Sequence, residues 1–208
     1  MNGKIAAIIL AAGQSKRMGQ PKMLLPWGES TVLGQVVKTF AEAALPQIVV
    51  VTGAQREPIS ALVSQLASQY PVRSVYNPDY ESGEMLSSMQ CGLASLGAAV
   101  EATLIGLGDQ PQLTTISVRG MLAMHASSGG PIIVPSFQRR RGHPWLVERQ
   151  LWAEIRAMKT PETARDFLNQ HAERIRYFEV DSPSVNQDLD TPEEYARLVG
   201  SGPHQVKS

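Results

Sequence analysis

The sequence has one cysteine, Cys91, in 208 residues. That excludes an intrachain disulfide framework and a cysteine-rich metal site. His125, His171 and His204 show no ligand spacing to one another or to Cys91, so zinc is not expected. Net charge is also missing. Nineteen Lys and Arg balance nineteen Asp and Glu, which removes the broad basic footprint of a nucleic-acid binder. The one dense basic cluster is Arg139-Arg140-Arg141. No apolar run approaches the length of a membrane span. The opening residues look superficially like a secretory leader. Their apolar stretch is only about seven residues long and runs straight into a polar loop, so it reads as a first strand. A reducing cytoplasmic setting, without nucleic acid or membrane, is the expectation. The commoner signatures are absent too. Gly13 and Gly19 lie in the wrong spacing for G-x-x-x-x-G-K-[ST], and neither G-x-G-x-x-G nor a G-x-S-x-G elbow occurs.

What is present is an alternation of apolar runs with helix-period segments. Strands are expected at Lys4–Leu10, Ile48–Thr52, Val72–Tyr76, Thr103–Leu107, Pro131–Pro135, Trp145–Val147 and Ile175–Val180. Helices are expected at Ser30–Ala44, Pro58–Gln69, Glu84–Leu96, Thr115–Ala126, Glu148–Met158 and Thr160–Gln170, the last starting from Thr160 and Pro161 as cap and first residue. A final helix starts at Thr191, with Glu194 completing a capping box. This order predicts an α/β fold with a mainly parallel sheet covered on both faces. One domain over 1–200 and a frayed tail over 201–208 are expected, without internal repeats. Ligands of such sheets gather at the carboxyl ends of the strands, so segments after Leu10 and after Leu107 should face one cleft.

The first of those segments is the most informative. The run Ile5–Leu10 ends in Ala11-Ala12-Gly13, followed by Ser15, Arg17, Gly19 and Lys22. Small residues after a buried strand let a ligand approach the backbone. Free N–H groups in such a turn bind anions, and Arg17 and Lys22 add positive charge. The second segment is Leu107-Gly108-Asp109-Gln110-Pro111. Asp109 suits a hard cation there, but an isolated Asp in that place serves equally as a turn or cap residue. The third is Asp188-Leu189-Asp190-Thr191-Pro192, whose two carboxylates project to one face of an extended segment. Each also serves as a helix-start residue.

The spaced pattern L-A-A-G-x-S-x-R-M-G-x-P-K from Leu10 to Lys22 resembles the signature of molybdenum cofactor cytidylyltransferases within the MobA-like nucleotidyltransferase group. Leu24-Leu25-Pro26-Trp27-Gly28 strengthens the resemblance, which runs from about Lys4 to Val199. It implies a three-layer α/β/α, Rossmann-like (glycosyltransferase-A-like) fold. It implies nucleotide binding by Leu10, Ala11, Ala12, Gly13, Ser15, Arg17, Lys22, Ser88 and Asp109. Arg17, Lys22 and Asp109 would be catalytic, and Lys22 would stabilise charge at the α-phosphate. The metal would be Mg²⁺, held by Asp109 with Asp188 or Asp190, Asp190 being somewhat favoured. In Asn77–Leu93, Gly83 would allow a close approach and Ser88 is the best base- or ribose-contacting candidate, while Met89 and Leu93 fit plain packing. The segment Gly142-His143-Pro144 would lie on the acceptor side, with His143 orienting an acceptor phosphate or binding the pterin.

The implied reaction is transfer of CMP from CTP to the terminal phosphate of molybdopterin, with release of pyrophosphate. The paired Ala11-Ala12 favours CTP over GTP by the same resemblance. A molybdenum hydroxylase or its chaperone would be the downstream partner. Two alternatives stand beside it: transfer to another phosphorylated acceptor or from another NTP, and a non-catalytic factor that hands the cofactor on.

Overall fold

The computed structural model describes residues 4–82 and 84–200. The expected tail at 201–208 and the close approach expected at Gly83 lie outside the described residues. Strand β1 (Ile5–Ala11) is buried at all seven positions. A strand apolar on both faces belongs in the middle of a sheet sandwiched between helices, and β1 sits there. It pairs in parallel with β4 (Ile48–Thr52) and β6 (Ala102–Leu107), and β4 pairs with β5 (Val72–Tyr76). A short antiparallel pair, β2 (Pro26–Trp27) and β3 (Ser30–Thr31), stands apart from this sheet. On the other side of β6 lies β9 (Trp145–Glu148), the one antiparallel insertion between parallel neighbours, followed by β7 (Ile132–Phe137) and β10 (Ile175–Glu179). Strand β8 (Arg140–Arg141) returns antiparallel on β7. The mainly parallel α/β architecture follows the sequence pattern.

Alternation along the strands divides the core. Ala7, Ile9, Ile48, Val50 and Leu104 face α1 (Val32–Glu42), α2 (Arg56–Leu66) and α4 (Thr115–Ser128). Ala6, Ile8, Val49, Val51 and Ile105 face α3 (Glu84–Ala94), α5 (Trp152–Ala157) and α6 (Ala164–Gln170). Each fully buried Leu, Ile, Val or Phe adds roughly 1.5–3 kcal/mol to the drive for folding. A third, small cluster joins Met18, Val32 and Leu189, with Trp27, Tyr195 and Leu198 packed on it. It ties α7 (Pro192–Gly200) to the segment after β1, and Tyr195 donates its hydroxyl hydrogen to the Pro26 carbonyl at 2.6 Å.

Four helix starts differ from the sequence pattern. Helix α5 begins at Trp152, not Glu148, because Glu148 pairs with Ala102 at the end of β9 and Arg149–Leu151 form a 3-10 turn. Helix α1 begins at Val32 because Ser30 and Thr31 pair with Pro26–Trp27, and Thr31 then caps Gly34 at 3.0 Å. Helix α2 begins at Arg56, two residues before Pro58, which a first turn tolerates. Helix α6 begins after Thr163, not Thr160. Thr163 and Asp166 form a reciprocal capping box, which satisfies two end groups at once and outweighs a proline at the first position. The box expected at Thr191 and Glu194 forms as the pattern requires.

Candidate active site

The sheet order brings three segments to one edge. Leu10 pairs with Leu107, and Ile105 with Trp145. The chain therefore leaves β1, leaves β6 and enters β9 side by side at the carboxyl end of the parallel strands. Two glycines allow this. A Cβ on Gly53 would meet the Ala12 carbonyl at 2.5 Å, and one on Gly108 would meet the Leu10 carbonyl at 3.1 Å. Bare backbone at the ends of β4 and β6 thus lets both neighbours close on Ala11-Ala12. The Leu10 carbonyl accepts from Gly108 N, and the Ala12 carbonyl from Ala54 N.

Leu10, Ala11 and Ala12 form the support behind the site. In front lies a cleft of about 310 Å³ lined by Gly13, Ser15, Lys16, Arg17, Lys22 and Asp190, among others. Among the described residues, none of the backbone N–H groups from Gly13 to Arg17 is bonded within the protein. Consecutive unpaired N–H groups form a concavity suited to an anion. Ser15 has φ near 51° and Gly19 near 69°. The Ser15 carbonyl accepts from Met18 and Gly19, which closes the turn.

Lys22 sits at the back of this cleft with 9 % of its surface exposed. Its Nζ donates to Asp109 Oδ2 at 2.5 Å and to Asp190 Oδ1 at 3.0 Å. Arg17 Nη2 reaches the other Asp190 oxygen at 2.8 Å. Burial alone would pull the Lys22 ammonium down, but the two carboxylates more than offset it and hold it above its ordinary value. Asp188 stands beside them. Its Oδ1 accepts from Gln110 Nε2 at 2.8 Å. Desolvation, with the Asp109 charge added, pushes its carboxyl up to about 6. The Asp109 carbonyl accepts from Leu189 N at 3.2 Å, so the two acidic segments are also joined through backbone.

Among the described residues, no three His, Cys, Asp or Glu side chains form a ready cage for an ion. The Lys22 ammonium stands between Asp109 and Asp190 instead. The donor chemistry still fits a hard cation, because Mg²⁺ is commonly held by one or two carboxylates completed by water and substrate phosphates.

Ser88 does not line the cleft. It is 3 % exposed, and its Oγ accepts from Asn77 Nδ2 at 3.1 Å; Ser87 Oγ accepts from the same amide at 2.9 Å. Gly142, His143 and Pro144 lead into β9. The His143 N–H donates to the Val185 carbonyl at 2.9 Å, and Gly142 N–H to the Pro135 carbonyl at 2.8 Å. His143 lines a second, larger cleft of about 550 Å³ on the α3 and α6 side of the sheet. Burial lowers its imidazole to about 4, so it is neutral at pH 7.

Sequence reasoning missed Gly53 and Gln110 as structural necessities. Gly53 carries no local signal, because its reason is Ala12, far earlier in the chain. Gln110 lay inside the quoted acidic motif, yet its role depends on Asp188 and Val185, to both of which its amide donates.

Similarity to known proteins spans nearly the whole chain. Residues 7–175 match the MobA-like NTP transferase domain. The chain is 30 % identical over 202 residues to nicotine blue oxidoreductase of Paenarthrobacter nicotinovorans, covering 94 % of this chain and 96 % of that one. It is 28 % identical over 193 residues to molybdenum cofactor cytidylyltransferase of Escherichia coli strain K12, covering 92 % and 93 %. The crystal structure of Rv0371c from Mycobacterium tuberculosis H37Rv superposes with a TM-score of 0.80 at 25 % identity, covering 96 % and 100 %. Because that domain match spans most of its length, the chain belongs to the MobA-like NTP transferase family.

Proposed function

We propose that this protein transfers CMP from CTP to the terminal phosphate of molybdopterin, releasing pyrophosphate. The observation that carries the reading is Lys22, held by Asp109 and Asp190 at the mouth of a loop with five unpaired N–H groups. Anion-binding backbone, fixed cations and metal-type carboxylates occur together, and nucleotidyl transfer needs all three. The name of the Escherichia coli relative supports CTP and molybdenum cofactor as substrates.

In this reading the triphosphate lies along Gly13–Arg17, where the N–H groups bind its oxygens. Arg17 turns from Asp190 to the phosphates and grips them through its planar fork. Lys22 stabilises charge that develops at the α-phosphate. Asp109, with Asp190 or Asp188, would hold Mg²⁺, which when bound neutralises phosphate charge. The acceptor phosphate oxygen attacks the α-phosphorus in line as the bond to pyrophosphate breaks. The product would pass to a molybdenum hydroxylase or its chaperone. Among the described residues no helix is long and apolar enough to cross a membrane.

Incubating the purified protein with CTP, Mg²⁺ and molybdenum cofactor should release pyrophosphate; its absence with every NTP tried overturns the reading. A second reading rests on the relative named nicotine blue oxidoreductase. It requires electron transfer without pyrophosphate release.

A further inference from the structure

The acidic side chains at the carboxyl edge of the sheet are not held alike. Asp109 and Asp190 are paired with cations, Lys22 on both and Arg17 on the second. Asp188 takes a hydrogen bond from an uncharged group instead, the side-chain amide of Gln110.

Gln110 follows Asp109 directly where the chain leaves β6, and it is 2 % exposed. A side chain so deeply buried acts on a ligand only through a neighbour. Its Nε2 donates to the Val185 carbonyl at 3.3 Å and to Asp188 Oδ1 at 2.8 Å. A carbonyl oxygen can only accept, so Val185 decides that the NH₂ end of the amide faces Asp188. The other end is left over. Gln110 Oε1 is buried without a hydrogen-bond partner among the described residues. An orphaned buried oxygen destabilises the fold, and a methionine of similar length would fill the space without one. Packing therefore does not account for a glutamine here, whereas a fixed donor against Asp188 does.

The backbone that carries Asp188 is tied down by other groups. Leu189 N–H donates to the Asp109 carbonyl at 3.2 Å, and the Val185 carbonyl also accepts from His143 N–H at 2.9 Å. Gln112 donates its amide to the Gln187 carbonyl. What these contacts leave open is rotation of the Asp188 carboxylate itself, and Gln110 removes that freedom. With Oδ1 held, Oδ2 is confined to one direction.

We propose that Gln110 is a positioning residue for the metal: its amide, oriented by Val185, fixes the Asp188 carboxylate so that Oδ2 joins Asp109 in holding the cation that accompanies the nucleotide. This rests on the reading of the protein as a metal-dependent nucleotidyltransferase. Ligating carboxylates are commonly held by an outer hydrogen bond, and loss of such a partner weakens metal binding or activity about ten- to a hundredfold.

The test titrates Mn²⁺ alone into the full-length protein and reads the free ion by electron paramagnetic resonance. Gln110→Met should weaken Mn²⁺ binding about tenfold, and Asp188→Asn by at least as much. The double variant should bind no more weakly than Asp188→Asn, because Gln110 acts through that carboxylate. Gln110→Asn keeps the amide but draws it back by one methylene. It should fall between wild type and Gln110→Met, and it carries the comparison if the latter does not fold. Gln112→Met loses an amide bond to the same segment and should keep the wild-type affinity. Melting temperatures show that each variant is folded. In pyrophosphate release, Gln110→Met should raise the Mg²⁺ concentration for half-maximal rate about tenfold and keep most of kcat at saturating Mg²⁺. The proposal is overturned if the wild type binds no Mn²⁺, if the Gln110 variants bind it equally well, if their loss recurs in full on the Asp188→Asn background, or if Gln112→Met weakens binding as much. An unchanged Mg²⁺ requirement in active Gln110→Met overturns it too. The Mn²⁺ titrations need no nucleotide, so absent transfer with the expected Mn²⁺ pattern overturns the reading of the reaction and leaves the task of Gln110 standing.

Discussion

Lys22 Nζ lies 2.5 Å from Asp109 Oδ2, although 87 residues separate them in sequence. The same ammonium reaches Asp190, 168 residues further on. One cation therefore holds together the segment after β1, the segment after β6 and the approach to α7.

Removing that cation should have two consequences. Lys22→Met leaves Asp109 and Asp190 without their shared partner, and should destabilise the metal-free protein by about 2 kcal/mol, below the 3–5 kcal/mol of a fully buried pair. Added Mg²⁺ should then raise the melting temperature more in the variant than in the wild type. Equal shifts in thermal melts would show that the ion and the ammonium do not share those carboxylates. Transfer should fall about a hundredfold or more, as expected for loss of a charge-stabilising group.

Asp109→Asn keeps size and hydrogen bonding but halves the charge offered to Lys22 and a metal. Pyrophosphate release should fall by about a hundredfold or more, while CTP binding, followed by calorimetry, persists in part. A handover factor would keep its action through this change.

Ser88→Ala removes an acceptor from a buried pair. It should cost about 1–2 kcal/mol of stability in denaturant melts, because the Asn77 amide loses one of two partners. The KM for CTP should rise only slightly. A rise of tenfold or more with unchanged stability would instead place the hydroxyl in direct contact with the nucleoside.

His143 gives the fold a pH dependence of definite sign. Its native imidazole titrates near 4, below the ordinary value of 6.5. Above 6.5 both folded and unfolded chains carry it neutral, and pH has no effect through this group. As pH falls from 6.5 toward 4 the unfolded chain takes up the proton first, and stability declines by up to about 3 kcal/mol. His143→Phe should lack this component. Urea melts at pH 7 and pH 4.5 measure it: a larger acid loss in wild type than in the variant is expected, and equal losses would mean the imidazole titrates normally in the folded protein.

Much of the fold was legible locally. Seven consecutive apolar residues in β1 admit only a buried central strand, and the repeated strand-to-helix order admits a parallel sheet. The Thr191 and Glu194 box was readable because all its atoms come from four neighbouring residues. The start of α6 was misread because Thr160-Pro161 and Thr163-x-x-Asp166 are both valid local signals, and the reciprocal pair wins. The start of α1 was misread because β2–β3 pairing draws in Ser30 and Thr31. In the site, Arg17, Lys22, Asp109 and Asp190 were named from spacing and resemblance, and the structure brings them together. The same reasoning set Ser88 toward the nucleoside, where the structure turns it to Asn77, and left Gln110 without a task.

The sequence alone determined which chemistry is available: a small-residue turn after a buried strand, two cations behind it, and acidic groups at later strand ends. Those are properties of residue type and short-range period, and they survive without knowing the fold. Tertiary structure alone decided the pairings. Lys22 meets Asp109 and Asp190, and Gly53 makes room for Ala12, because the strand order sets β6, β1 and β4 side by side. Contacts between residues so distant along the chain are fixed by sheet registry, which no local stretch of sequence encodes.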